Sequence, residues 1–147
     1  MTDTTIIIQR TGQPPLRFAG ELIAAASSQQ EHGNRRHRWH EVRLYVIWDT
    51  SRSFWTSQRV AEVEYISRWS STNKDPELGR RWAVVCDQAE LPARLAEYQP
   101  VEDVTGGYPP IPRFEQQQAR LLMAVATGFR EAVGAALAQA GYVEDVN

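Results

Sequence analysis

Alternation of apolar and polar residues is clearest in the middle of the chain. Val42, Leu44, Val46 and Trp48 would lie on one side of an extended segment, with Glu41, Arg43 and Tyr45 on the opposite side. A period of two residues is typical of an antiparallel strand that buries one face. The pattern therefore predicts a strand over residues 40–48.

Four other segments also have strand character. In the segment 54–69, Ala61, Val63 and Tyr65 alternate with Glu62 and Glu64, and a change of phase predicts a bulge near 58–60. The remaining three strands have different signals. Residues 5–10 are rich in β-branched side chains, and residues 16–27 begin with alternation after a Gly-Pro break. Residues 82–87 form a continuous apolar run, which is expected of a strand covered on both faces.

Helical spacing appears only after the last strand. Asp87 and Glu90 stand three residues apart as in a capping box, and Pro92 fits a first turn, so a short helix is predicted over 88–98. Residues 100–112 contain Gly106-Gly107 and Pro109-Pro110, which predict an extended surface connector. Apolar residues then recur at steps of three and four, which predicts a long helix over 113–140.

These elements predict an α+β fold in one domain, residues 1–147. It would contain a five-stranded, mostly antiparallel meander sheet, with one short helix and one long C-terminal helix packed on one face. The arrangement is similar to that of small bacterial proteins built from a strand meander and a helix. No stretch of the chain is specific enough to name a family.

Composition and charge set the expected compartment. The net charge is −2, 42% of the residues are hydrophobic and 23% are charged, which is ordinary for a globular protein. Cys86 is the single cysteine, so an intrachain disulfide is impossible and a reducing compartment fits best. There is no signal-peptide pattern and no uninterrupted apolar run of about 20 residues. We expect a cytoplasmic protein that makes no membrane contact.

Three histidines fall within nine residues, at His32, His37 and His40. Together with Glu31 or Glu41 they could ligate a transition metal. On a strand, however, residues 37 and 40 point to opposite faces. Solvated loop histidines are therefore favoured over a metal site, and no metal and no cofactor are predicted.

The one basic cluster lies between the second and third predicted strands. Arg35, Arg36 and Arg38 could bind phosphates while Trp39 stacks on a base. Acidic neighbours and the absence of a nucleic-acid-binding motif favour a solvated loop instead. Contact with nucleic acid through these four residues is kept as the alternative function.

Catalytic chemistry finds no support in the sequence. The chain lacks a phosphate-binding loop, a nucleophile elbow and a dinucleotide fingerprint, and Cys86 lies inside an apolar strand. Glu62 and Glu64 are interpreted as the solvated face of a sheet. We therefore predict no catalytic residues and expect the chain not to be an enzyme.

The long C-terminal helix is the best candidate for a partner contact. At 1.5 Å per residue it would extend roughly 40 Å, about twice the length of a typical strand. It also contains Gly128 and Gly134, each of which costs about 1 kcal/mol relative to alanine. Tight packing inside the monomer and a homo- or hetero-oligomeric contact explain these features equally well. A non-catalytic accessory module that binds a protein partner is the leading hypothesis, with the helix contacting the partner through Leu122, Val125, Phe129, Val133 and Leu137.

Overall fold

The computed structural model describes residues 4–29, 38–67, 78–105, 113 and 115–143. Within these ranges, five strands form one antiparallel meander, in which neighbours in sequence are also neighbours in the sheet. The predicted α+β fold is confirmed. The strands are β1 (Thr5–Arg10), β2 (Gln13–Ser27), β3 (Arg38–Asp49), β4 (Phe54–Ser67) and β5 (Leu78–Asp87).

The two halves of the long strand β2 pair with different strands. Residues 13–19 pair with β1, and residues 20–27 pair with β3. At the change of partner, a Cβ atom on Gly20 would collide with the backbone oxygen of Val46. Because only glycine lets the two backbones approach so closely, β2 can bend here. β1 and the start of β2 lie over one face of the sheet, where the N–H of Thr11 donates a hydrogen bond to the carbonyl of Arg81 and Ile8 packs in one cluster with Tyr45 and Val60.

Strands β3 and β4 form the centre of the sheet, and their register confirms the predicted alternation. Val42 pairs with Val63, and Leu44 pairs with Ala61, so these four side chains share one face. The register shifts between Val46, which pairs with Arg59, and Trp48, which pairs with Trp55. The extra residues of β4 therefore lie at 56–58, next to the bulge predicted at 58–60.

Among the residues that the structure describes, three helices follow the sheet. A 3₁₀ turn (Gln88–Glu90) with the predicted Asp87/Glu90 capping box leads into α1 (Leu91–Ala96), and α3 (Glu115–Gln139) matches the predicted long helix. Residues 100–105 correct the prediction of an extended connector, because they form the helix α2 (Pro100–Thr105). Pro100 at its start is buried, and a proline fits the first turn of a helix. Residues 106–112 of that connector lie outside the described part of the chain.

The sheet buries both of its faces, each in a different way. The face of Val42, Leu44, Ala61 and Val63 packs against α1 and α3. The opposite face carries a second core, in which residues of β1 pack on the middle of the sheet. Its buried members are Ile8, Tyr45, Val60 and Ala83.

Candidate functional site

His40 lies on the helix-covered face of β3 and is 1% exposed. Its imidazole packs among the rings of Tyr65, Tyr98 and Phe129, with centroids 5.1, 6.0 and 5.2 Å away. The interpretation of His40 as a solvated loop residue is therefore wrong. A signal was present in the sequence, since residue 40 has the same parity as Val42 and Leu44. His32 and His37 lie outside the described residues.

Asp103 of α2 contacts His40 on the helix-covered face of the sheet. Its Oδ2 atom lies 2.8 Å from Nε2 of His40 and accepts a hydrogen bond of 2.5 Å from the hydroxyl of Tyr98. The Asp103 side chain is 0% exposed, and its Oδ1 atom is 3.7 Å from Nη1 of Arg80. That Oδ1 atom accepts no hydrogen bond from any residue that the structure describes. Asp103 therefore joins β3, β5, α2 and the segment that follows α1.

The His40–Asp103–Tyr98 cluster has the composition of an acid–base site but not its surroundings. A general acid or base has to reach a substrate proton directly or through one water molecule. Here, aromatic rings enclose the imidazole, and its Nε2 atom is hydrogen-bonded to Asp103. The arrangement is suited to holding α2 against the sheet, because a buried charge is stable only when it is paired.

Burial and the hydrogen bond to Asp103 raise the pKa of Tyr98 above its ordinary value of 10.0. A phenol that stays protonated in the folded state, and ionises more easily in the unfolded state, stabilises the fold below pH 10 and loses this effect as the pH rises further. We expect the free energy of unfolding to fall above pH 10, and to fall less steeply in Tyr98→Phe. Urea denaturation at several alkaline pH values measures this slope, and equal slopes in the two proteins would contradict the expectation.

A pocket of about 400 Å³ lies between the three helices, beside this cluster. Its walls are mostly apolar, and they include Tyr98, Val101 and Phe129. Arg130 and Gln99 supply polar groups at its lining. Since Ala126, Arg130 and Val133 of α3 belong to this lining, the pocket adjoins the exposed side of that helix.

The opposite face of the sheet carries a second charged network. Arg43 contacts Glu64 at 2.9 Å and Glu62 at 3.4 Å, and Arg81 contacts Glu64 at 3.3 Å. The hydroxyl of Tyr45 donates a hydrogen bond of 2.7 Å to Glu62, which is buried. The prediction that both carboxylates lie on a solvated face is therefore wrong for Glu62. Each carboxylate is already neutralised by residues of its own sheet.

Two of the four residues of the predicted basic site belong to the part of the chain that the structure describes. Arg35 and Arg36 lie outside the described residues, and Arg38 is half-buried at the start of β3. Trp39 is only 5% exposed, and its indole N–H donates a hydrogen bond to Glu41. The Trp39 ring is thus unable to stack on a base in this conformation. Nucleic-acid contact by the arginines stays a prediction.

The predicted partner residues of α3 point mainly inward. Val125 and Phe129 are buried in the core, while Val133 and Leu137 pack against it and Leu122 is half-buried. The sheet of this chain therefore occupies that side of the helix, and a partner would meet the other side.

The outer side of α3 leaves apolar surface uncovered. Leu121 is 40% exposed and Met123 is 70% exposed. Further along the helix, small side chains face solvent at Ala124, Gly134, Ala135 and Ala138. Sequence reasoning missed this surface because it assigned the bulky apolar residues of the helix to the partner.

By length and composition alone, α3 could cross a membrane. An 18-residue window of the helix has a mean hydropathy of 1.4, although only 17% of it is buried. The search for an uninterrupted apolar run missed this window, because Arg130 and Glu131 interrupt it.

Cys86 is buried, and burial raises the pKa of its thiol, which disfavours the reactive thiolate. In the described ranges, no group of three metal-ligating side chains comes together.

Comparison of the chain with protein-family models, with curated proteins and with solved structures finds no significant match.

Proposed function

We propose that this chain is a non-catalytic binding module that acts through a protein partner, and that the outer face of α3 contacts this partner. One observation carries the proposal. Leu121 is 40% exposed and Met123 is 70% exposed, and exposed alanines at 124, 135 and 138 continue this uncovered side along the helix. Extended apolar surface that a chain does not cover itself is typical of an interaction site.

A protein partner fits this face better than a lipid bilayer. Arg120, Arg130 and Glu131 are exposed on the helix, and Arg130 and Glu131 lie near its middle. Ionised side chains are costly at the centre of a bilayer, whereas a protein partner can pair them with opposite charges. The opposite side of the helix is also held on the sheet by Phe129 and Ala136.

The proposal of a non-catalytic role rests on how the buried polar groups are used. Asp103 is paired with His40 and Tyr98, and Glu62 is paired with Arg43 and Tyr45. Groups held by partners from their own chain contribute to stability and are poorly placed to bind a substrate. This argument covers the two charged clusters described above.

The test is a double variant of the outer face, Met123→Glu/Ala124→Glu. Both positions are exposed, so the fold should be retained, and circular dichroism checks this. The wild-type protein is expected to associate, either with itself in sedimentation velocity or with a host protein that is captured, identified by mass spectrometry and bound again in purified form. The variant should lose this association.

Val143→Glu is the matched control, since it adds a negative charge at an apolar residue that is 82% exposed and lies beyond the helix. It should associate as the wild type does. A wild-type protein that stays monomeric and binds no protein through Met123 and Ala124 would overturn the proposal. So would wild-type protein that floats with lipid vesicles when the double variant does not, since that result assigns the face to a membrane.

A further inference from the structure

We propose that the partner of α3 is a second copy of this chain, with two α3 helices packed antiparallel about a twofold axis between Ala124 and Thr127. The inference rests on the proposed function, because it names the partner of the same surface. Three independent features of the outer face support it: the spacing of its residues, the position of its charges and the distribution of side-chain size.

Exposed residues of α3 repeat at alternating steps of three and four. The row Ala124, Thr127, Glu131, Gly134 and Ala138 is exposed throughout. This seven-residue repeat places the residues on one nearly straight line along the helix, which is the geometry of a helix that packs lengthwise on another helix. The row lies opposite the buried residues Val125, Phe129 and Ala136, so the sheet does not cover it.

Gly134 is not explained by packing inside the chain. A Cβ atom built on it would have no atom within 4 Å. A glycine in a helix interior lowers helix stability, and the usual compensation is the close approach of another backbone. The described part of this chain supplies no such approach, whereas a helix from a second copy would.

Two opposite charges are placed for reciprocal pairing: Glu131 on the row and Arg120, which lies one step of four residues before its first member. Arg120 and Glu131 are exposed, and neither forms an ion pair among the described residues. They are eleven residues apart, or about 16 Å along the helix, which is too far for pairing within one helix. In an antiparallel pair, Arg120 of each copy lies opposite Glu131 of the other, and both ion pairs form at once.

The same alignment matches large side chains with small ones. The exposed bulky residues Leu121 and Met123 belong to the first half of α3, while the second half exposes Gly134, Ala135 and Ala138. Pairing Arg120 with Glu131 sets Gln117 opposite Gly134 of the second copy, and Ala124 opposite Thr127. A parallel pair would instead place bulky residues against bulky residues and leave the small ones apart. Size and charge therefore point to one antiparallel alignment.

Such a contact closes on itself. Each copy uses the same surface and the same two charges, which is the isologous interface of a twofold dimer. No further copy can add to the face once it is occupied. A dimer, rather than a filament, is therefore the expected product.

Charge reversal tests the alignment directly. Arg120→Glu places four glutamates across the helix pair, and Glu131→Arg places four arginines there, so each variant alone should dimerise about tenfold more weakly than the wild type. An equimolar mixture should recover dimers, because the two variants form both ion pairs with each other. Sedimentation velocity in low salt measures each protein and the mixture, and circular dichroism checks the fold.

The outcomes separate this inference from the proposed function. A wild-type dimer that weakens in each single variant and returns in the mixture supports the antiparallel pair. The inference is overturned if neither charge reversal weakens the dimer, or if the mixture dimerises no more strongly than each variant alone. The wild type could also be monomeric and bind a different purified protein, with Met123→Glu/Ala124→Glu abolishing that binding. This result would overturn the second copy as the partner, while the proposed binding function would stand.

Discussion

Replacement of Asp103 by alanine is expected to lower the free energy of unfolding by roughly 2–6 kcal/mol, because it leaves two hydrogen-bonding groups without their partner, at about 1–3 kcal/mol each. The variant leaves the imidazole of His40 without its partner in a site that is 1% exposed. It also removes the acceptor of the Tyr98 hydroxyl. Because typical domains are stable by about 5–15 kcal/mol, a large part of the native stability would be lost. Urea denaturation followed by tryptophan fluorescence measures the effect.

Two companion variants show whether the loss comes from the buried pair. Glu102→Ala changes the neighbouring acidic residue of α2, which is exposed, and should cost less than about 1 kcal/mol. Asp103→Asn keeps an oxygen that accepts a hydrogen bond and removes the charge, so its effect should lie between the other two. If Asp103→Ala were no more destabilising than Glu102→Ala, the contact between α2 and His40 would not hold the fold together.

Replacement of Phe129 by alanine is expected to destabilise the protein by about 3–5 kcal/mol, as is usual for a large aromatic residue removed from a core. The ring is 3% exposed and lies 5.3 Å from the ring of Tyr98 and 5.2 Å from that of His40. Its removal leaves a cavity exactly where α3 rests on the sheet and the cluster. Urea denaturation again measures the loss.

Met123→Ala is the matched variant on the other side of the same helix. Since Met123 is 70% exposed, its truncation should change the free energy of unfolding by less than about 0.5 kcal/mol. The association of the protein should show the reverse order, with Met123 mattering more than Phe129 among molecules that remain folded. Equal losses of stability in Phe129→Ala and Met123→Ala would contradict the claim that Phe129 packs α3 against the sheet.

Comparison of Phe129→Ala with Met123→Ala also distinguishes packing in the core from contact with a partner, two roles that the sequence alone does not distinguish. Apolar residues at helical spacing indicate that a helix buries one side, but they do not reveal what covers that side. The sequence predicted that Val125 and Phe129 contact a partner, and the structure places both in the core of this chain. The partner contact that we propose then depends on smaller and less conspicuous residues such as Ala124 and Gly134.

The charged residues show a similar limit. Parity along β3 would have allowed the burial of His40 to be predicted, because His40 alternates in phase with Val42 and Leu44. Its partner could not have been found in this way, since Asp103 lies 63 residues further along the chain. Local pattern reports which side of an element is buried, and the identity of a distant partner depends on how the elements are assembled.

The sequence by itself determined the five strands, the capped turn that starts α1 and the extent of α3. These features depend on hydrogen bonds and side chains separated by a few residues, so short-range periodicity contains them. Only the tertiary structure decided that β2 bends at Gly20 to cover the second face of the sheet, that Asp103 meets His40, and that one side of α3 remains open. Each of these depends on contacts between segments far apart in the chain, and such contacts produce no periodic pattern in the local sequence.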